Sequence, residues 1–146
     1  MLKYNRILCA FEFDGNSTAA LYLAGSIAKE SNATLHILHI ARVPIQDMDV
    51  PLPFNSEPRW ERESRVRLTQ IVKQSLKARV RYVIEVRTGV PDIDIVRAAK
   101  ELAVDLIVMA THGRSGLQHF VLGSVTEHVI REASCPVLVL RAVAPS

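Results

Sequence analysis

DLIVMATHGRSGLQHFVLGSVTEHVIREASCPVLVL, residues 105–140, decides the fold. Leu106 to Ala110 is an apolar run of buried-strand length that stops at a polar loop carrying Gly113, Gly116 and Gly123. From Ser124 to about Ala133 apolar residues recur at helical spacing, with Val125, Val129, Ile130 and Ala133 on one side. Pro136 ends that pattern, and a second apolar run, Val137 to Arg141, reads as the last strand. Strand, glycine loop, helix and strand together make the repeating unit of a parallel α/β sheet.

The same loop has a chemical reading. Glycines lack Cβ, so they reach positive φ and let a ligand approach the main chain. The first helical amides, near Val125 and Thr126, have no partner within the helix, and the aligned peptide dipoles make that end partly positive. With the hydroxyls of Ser124 and Thr126 beside them, these amides suit the oxygens of a polyphosphate. No G-x-x-x-x-G-K-[ST] occurs in the chain, so the loop is not a P-loop. A purely structural reading stands beside this one: Ser124 followed by Glu127 has the form of a capping box, sufficient to start a helix. The length of the glycine loop favours the ligand.

Working outward, the pattern repeats. Residues 5–11, NRILCAF, read as the first strand, nearly continuous in apolar residues and so covered on both faces. Asn16 or Ser17 is placed to cap the helix that follows, whose inner positions are Ala20, Leu21, Ala24, Ile27 and Ala28, to about Ser31. Thr34 to Ile40 is the second strand. His36 and His39 on it point to opposite faces and cannot share a metal. Residues 41–58, with Pro44, Pro51, Pro53 and Pro58, form a long irregular connection leaving the carboxyl end of that strand, where it could act as a flap. A helix from about Glu57 to Ala78 buries Trp60, Leu68, Ile71, Val72 and Leu76 and carries charges of both signs on a solvated face. Arg81 to Val86 is the third strand. Pro91 fits the first turn of the next helix, with Ile95, Val96, Ala99, Leu102 and Ala103 inward.

Composition narrows the function class. The 146 residues, 49% apolar and only 5% aromatic, predict one α/β domain over 1–146 with an aliphatic core. No apolar run approaches the roughly 20 residues of a membrane span, and the first residues read as strand rather than signal. A cytoplasmic location, with no membrane partner, is the expectation. The net charge of +3 is spread rather than clustered with aromatics, so no nucleic-acid partner is expected. Cys9 and Cys135 match no metal-ligand spacing and read as reduced thiols. No nucleophile has a general base placed beside it, so no catalytic residue and no metal ligand is assigned.

The glycine loop resembles the signature of the universal stress protein family in its nucleotide-binding form, G-x2-G-x9-G-[ST] after the fourth strand. Here it is Ala110-x2-Gly113-x9-Gly123-Ser124, with alanine for the first glycine. The flanking MATHGRSG, LGSVTEHVIREA and CPVLVL are similar to phrases of that family, and the resemblance extends over nearly the whole chain. It implies an open five-stranded parallel sheet of order 3-2-1-4-5 with helices on both faces, Rossmann-like and adenine nucleotide alpha hydrolase-like. It also implies an ATP-binding regulatory module of the stress response, with ADP or AMP as the other adenylates. Carried over residue by residue, Ala10 and Ile40 match positions packed on the base. Phe11 ends the first strand, and Glu12 after it stands where the family has an aspartate near the adenosine. Asp14, where many members have serine, is the other candidate for that acid. Met109, Ala110 and Gly113 match positions along the ribose and phosphates, and Gly123, Ser124, Val125 and Thr126 match the far phosphate cradle. His112 flanks the loop, either near a phosphate or ordering the turn. Arg114 or a magnesium ion would balance Glu12 beside the phosphates. The resemblance further implies a homodimer through Val137–Leu140, and an unpaired apolar edge strand gives that pairing an independent reason. The alternatives are a slow ATP hydrolase and a dimeric stress scaffold that binds no nucleotide.

Overall fold

The computed structural model describes residues 3–76, 79–111 and 122–141. Strands β1 (Arg6–Ala10), β2 (Thr34–Ala41), β3 (Arg81–Thr88), β4 (Leu106–Ala110) and β5 (Val137–Leu140) alternate with helices α1 (Gly15–Ser31), α2 (Arg59–Ser75), α3 (Pro91–Glu101) and α4 (Ser124–Glu132). A short 3-10 turn, Ile45–Asp47, interrupts the connection after β2. All described pairings are parallel and the sheet order is β3-β2-β1-β4-β5, as the resemblance implies. β1 pairs with both β2 and β4, so the chain leaves β1 and β4 for opposite faces. The place where those two strands end is the switch point at which open α/β sheets bind ligands.

Side-chain alternation sorts the core into two clusters. Ile7, Cys9, Leu35, Ile37 and Val108 meet Ala20, Leu21 and Ala24 of α1 and Leu68 and Val72 of α2 on one face. Leu8, Ala10, Leu38, Ile40, Ile107 and Met109 meet Ile95, Ala98 and Ala99 of α3 and Val129 of α4 on the other. Ile7, Leu8 and Cys9 are wholly inaccessible, which is why β1 shows no polar alternation. The thiol of Cys9, desolvated there, is pushed up to about 12 and stays protonated. Cys135 packs against the opposite face, and both cysteines are free.

The helix termini differ from the sequence reading at identifiable points. Asp14, not Asn16 or Ser17, caps α1: the Ser17 N–H donates to Asp14 Oδ1 at 2.6 Å. The helix therefore starts earlier than expected, and it stops at Asn32, which adopts the left-handed conformation at φ 57°. α2 begins at Arg59, after Pro58, because a residue preceding proline is held out of helical geometry. In α3, Ala98 is buried, whereas Ala103 lies past the helix end, exposed and at φ 50°. In α4 the buried positions are Thr126 and Val129; Ile130, expected inward, is 45% exposed. β2 and β3 each run further at their carboxyl ends than the sequence suggests, and their register continues to Ala41 opposite Thr88.

Candidate functional site

The candidate site is built from the ends of β1, β2 and β4 and the start of α4. Ala10, Ile40 and Met109 are all buried and share one apolar cluster with Val129, and Val125 packs against it. Three strands and a helix thus bring four of the residues singled out in sequence to one apolar floor.

Past β1 the main chain is held on both sides. The Phe11 N–H donates to the Leu38 carbonyl at 2.8 Å, the last bond of that ladder. The Phe11 carbonyl accepts from His39 Nδ1 at 2.7 Å. The Glu12 N–H donates to Ser17 Oγ at 3.0 Å, and Glu12 is half-buried just past the end of β1. Asp14, the other candidate acid, is occupied with capping α1. The first turn of α1 reaches the residue after β4: the Asn16 side-chain amide donates to the Thr111 carbonyl at 3.4 Å. Thr111 itself is tied to β5 through its N–H and the Leu140 carbonyl at 2.9 Å.

Phe13, which the sequence did not mark, sits between Glu12 and Asp14 at φ 59°. A bulky side chain in the left-handed region costs about 1–3 kcal/mol and persists only where its surroundings fix it. Those surroundings are clear. Phe13 meets Phe11 edge-on at 5.3 Å between ring centroids and His39 edge-on at 4.6 Å, and the Arg67 guanidinium lies over its ring at 4.6 Å. Burial holds the His39 pKa below the ordinary histidine value, opposed by the Phe11 carbonyl and Glu12.

α4 opens differently from a capping box. Gly123 occupies the N-cap position at φ 83°, ψ 147°, and no side chain among the described residues caps the helix. Ser124 is already the first helical residue and is exposed, so its hydroxyl does not fill the role that Ser124 and Glu127 suggested. A Cβ built on Gly123 would meet no described atom within 4 Å, so the glycine is required by its backbone angles and not by crowding. Ala110 ends β4 half-buried and packs against the cluster on the α1 and α2 face. His112, Gly113 and Arg114 lie outside the described residues, as do Gly116 and His119. Among the described residues no cluster of three or more His, Cys, Asp or Glu could hold a metal ion.

Residues 3–141 match the sequence profile of the universal stress protein family. The chain belongs to that family. Universal stress protein MJ0531 of Methanocaldococcus jannaschii is 34% identical over 145 residues, covering 94% of this chain and 82% of the relative. Among solved universal stress protein relatives, hypothetical protein MJ0577 superposes with a TM-score of 0.80 at 24% identity, over 99% of this chain and 100% of that one. A universal stress protein in complex with cAMP superposes at 0.68 with 24% identity, over 95% and 98% of the two chains. A family member from Arabidopsis thaliana with AMP bound does so at 0.64 with 18% identity, over 97% of each. These likenesses establish the fold as that of a universal stress protein.

Proposed function

We propose that this chain is an adenine-nucleotide-binding universal stress protein. It would act as a regulatory module whose shape or partners change when ATP, or ADP or AMP in its place, is bound. The observation that carries this reading is the start of α4: a glycine at φ 83° leads into a helix that no described side chain caps, beside an apolar floor of Ala10, Ile40 and Met109. The residues fit the group. An uncapped helix start offers amides and a positive dipole end to phosphates, and a flat apolar floor suits a base. The AMP and cAMP complexes of two relatives support the same ligand class.

In this reading Ala10, Phe11 and Ile40 bound the base, and Glu12 faces the adenosine. Met109, Ala110 and Gly113 line the ribose and inner phosphates, and Gly123, Ser124, Val125 and Thr126 hold the outer phosphates. His112 and Arg114 complete the loop, and Arg114 or magnesium offsets the Glu12 charge. No proton transfer or nucleophile is assigned, so the role is binding and not turnover. The unit is a homodimer in which β5, the sheet-edge strand with Leu138 38% exposed, pairs with its own copy.

Alanine at position 110 and glutamate at position 12 favour the second reading, a dimeric scaffold without nucleotide. One experiment separates the two. The purified protein is denatured and any released small molecule is identified by mass spectrometry. A separate native sample is incubated with ATP and magnesium and assayed for phosphate. Adenylate recovered without turnover supports the regulatory module, and phosphate release makes it a hydrolase. A ligand-free protein that also takes up no added adenylate would be the scaffold.

A further inference from the structure

We infer that His39 is a positioning residue for the nucleoside half of the adenylate, acting through the main chain of residues 11–13. The inference rests on the adenylate reading and adds a division of labour within the site. β1 and β2 stop sharing main-chain hydrogen bonds at Phe11 N–H to Leu38, and the next acceptor along, the Phe11 carbonyl, is taken by His39 Nδ1 at 2.7 Å. Since a carbonyl only accepts, Nδ1 carries the proton. The same imidazole meets the Phe13 ring at 4.6 Å, and Phe13 stands at φ 59° under Arg67. One ring therefore grips the residue before Glu12 by a hydrogen bond and the residue after it by contact. Glu12 is thus flanked on both sides by residues that this ring holds, with its own N–H donated to Ser17 Oγ.

His39 itself points to the α1 and α2 face, where Phe13 packs with the buried cluster. Ala10, Ile40 and Met109 belong to the other face. It therefore acts on Glu12 from behind and touches neither the apolar floor nor the start of α4. Loosening it should weaken recognition of the base and ribose while leaving the phosphate end unchanged.

The experiment compares the parent with His39→Phe and His39→Asn, each titrated with AMP and with inorganic tripolyphosphate. His39→Phe keeps a ring but loses the donor; His39→Asn restores a donor at a similar reach. We expect His39→Phe to bind AMP about tenfold more weakly, the order of one lost hydrogen bond, with tripolyphosphate affinity unchanged. His39→Asn should recover most of the AMP affinity. AMP affinity equal to the parent's in His39→Phe, or an equal loss of AMP and tripolyphosphate, would overturn the inference. Should His39→Phe fold poorly, ¹⁵N spectra of the parent decide: AMP should shift the His39 ring and the Glu12 amide together, and a Glu12 shift with an unmoved His39 counts against it. A parent that binds neither probe defeats the adenylate reading itself, and this inference with it.

Discussion

Gly123 and the two histidines of β2 carry the residue-scale consequences. Gly123 holds φ 83°, ψ 147°, and no described atom lies within 4 Å of where a Cβ would sit, so the expected cost of substitution is that of the backbone angles. Gly123→Val should lower stability by about 1–3 kcal/mol in urea unfolding and weaken AMP binding at least about tenfold, while the chain still folds cooperatively. Unchanged AMP affinity would remove the opening of α4 from the site. His36 and His39 give a pH dependence. In an unfolded chain a histidine titrates near 6.5, and desolvation holds both below that in the fold. Glu85 pulls His36 back up while Arg6 pushes it down. For His39 the Phe11 carbonyl and Glu12 pull upward and Arg67 pushes down. As pH falls through that window the unfolded chain binds protons first, so stability is full above neutrality and declines on acidification. Urea unfolding at about pH 7.5 and about pH 5.5 should show the decline, and a His36→Asn, His39→Asn double variant should flatten it. A slope unaltered by both substitutions would assign the loss to carboxylates.

Among the elements, α1 and α4 contrast at their starts. α1 has a side-chain cap and α4 has none among the described residues. Asp14→Ala should therefore cost about 1 kcal/mol in thermal or urea unfolding, and Asn16→Ala distinctly less. An equal effect of the two would mean that the cap is shared. At the sheet edge, Leu138→Lys should convert a β5-paired dimer to monomer in sedimentation while leaving the circular dichroism of the fold unchanged. A monomeric parent would sink the dimer. The elements themselves were legible in the sequence because buried parallel strands write continuous apolar runs between helical repeats, as at Leu106–Ala110. Their ends were less so. Asp14, Asn16 and Ser17 are all capping types, and only the backbone path chooses among them. Ile130 was read as core, yet the helix exposes it and buries Thr126 in its place, an order that residue type alone reverses. The contacts of Phe13 with His39 and Arg67 join three elements around a left-handed residue, and no local pattern encodes them.

For the whole molecule, the sheet order places the ends of β1 and β4 side by side, and everything assigned to the site follows from that adjacency. The apolar floor of Ala10, Ile40 and Met109 was readable through the family resemblance, because strand ends align even where loops diverge. A ligand held at such a junction ties several elements together and stabilises only the folded chain. At about a hundredfold excess over Kd the gain is about 2.7 kcal/mol, visible as a rise in Tm. The most direct test is calorimetric titration of the nucleotide-free protein with ATP, ADP and AMP, with and without magnesium. The account predicts saturable binding of one adenylate per chain, displaced by tripolyphosphate and weakened in Gly123→Val. Absence of heat with every adenylate, from a protein shown to be folded, would contradict it.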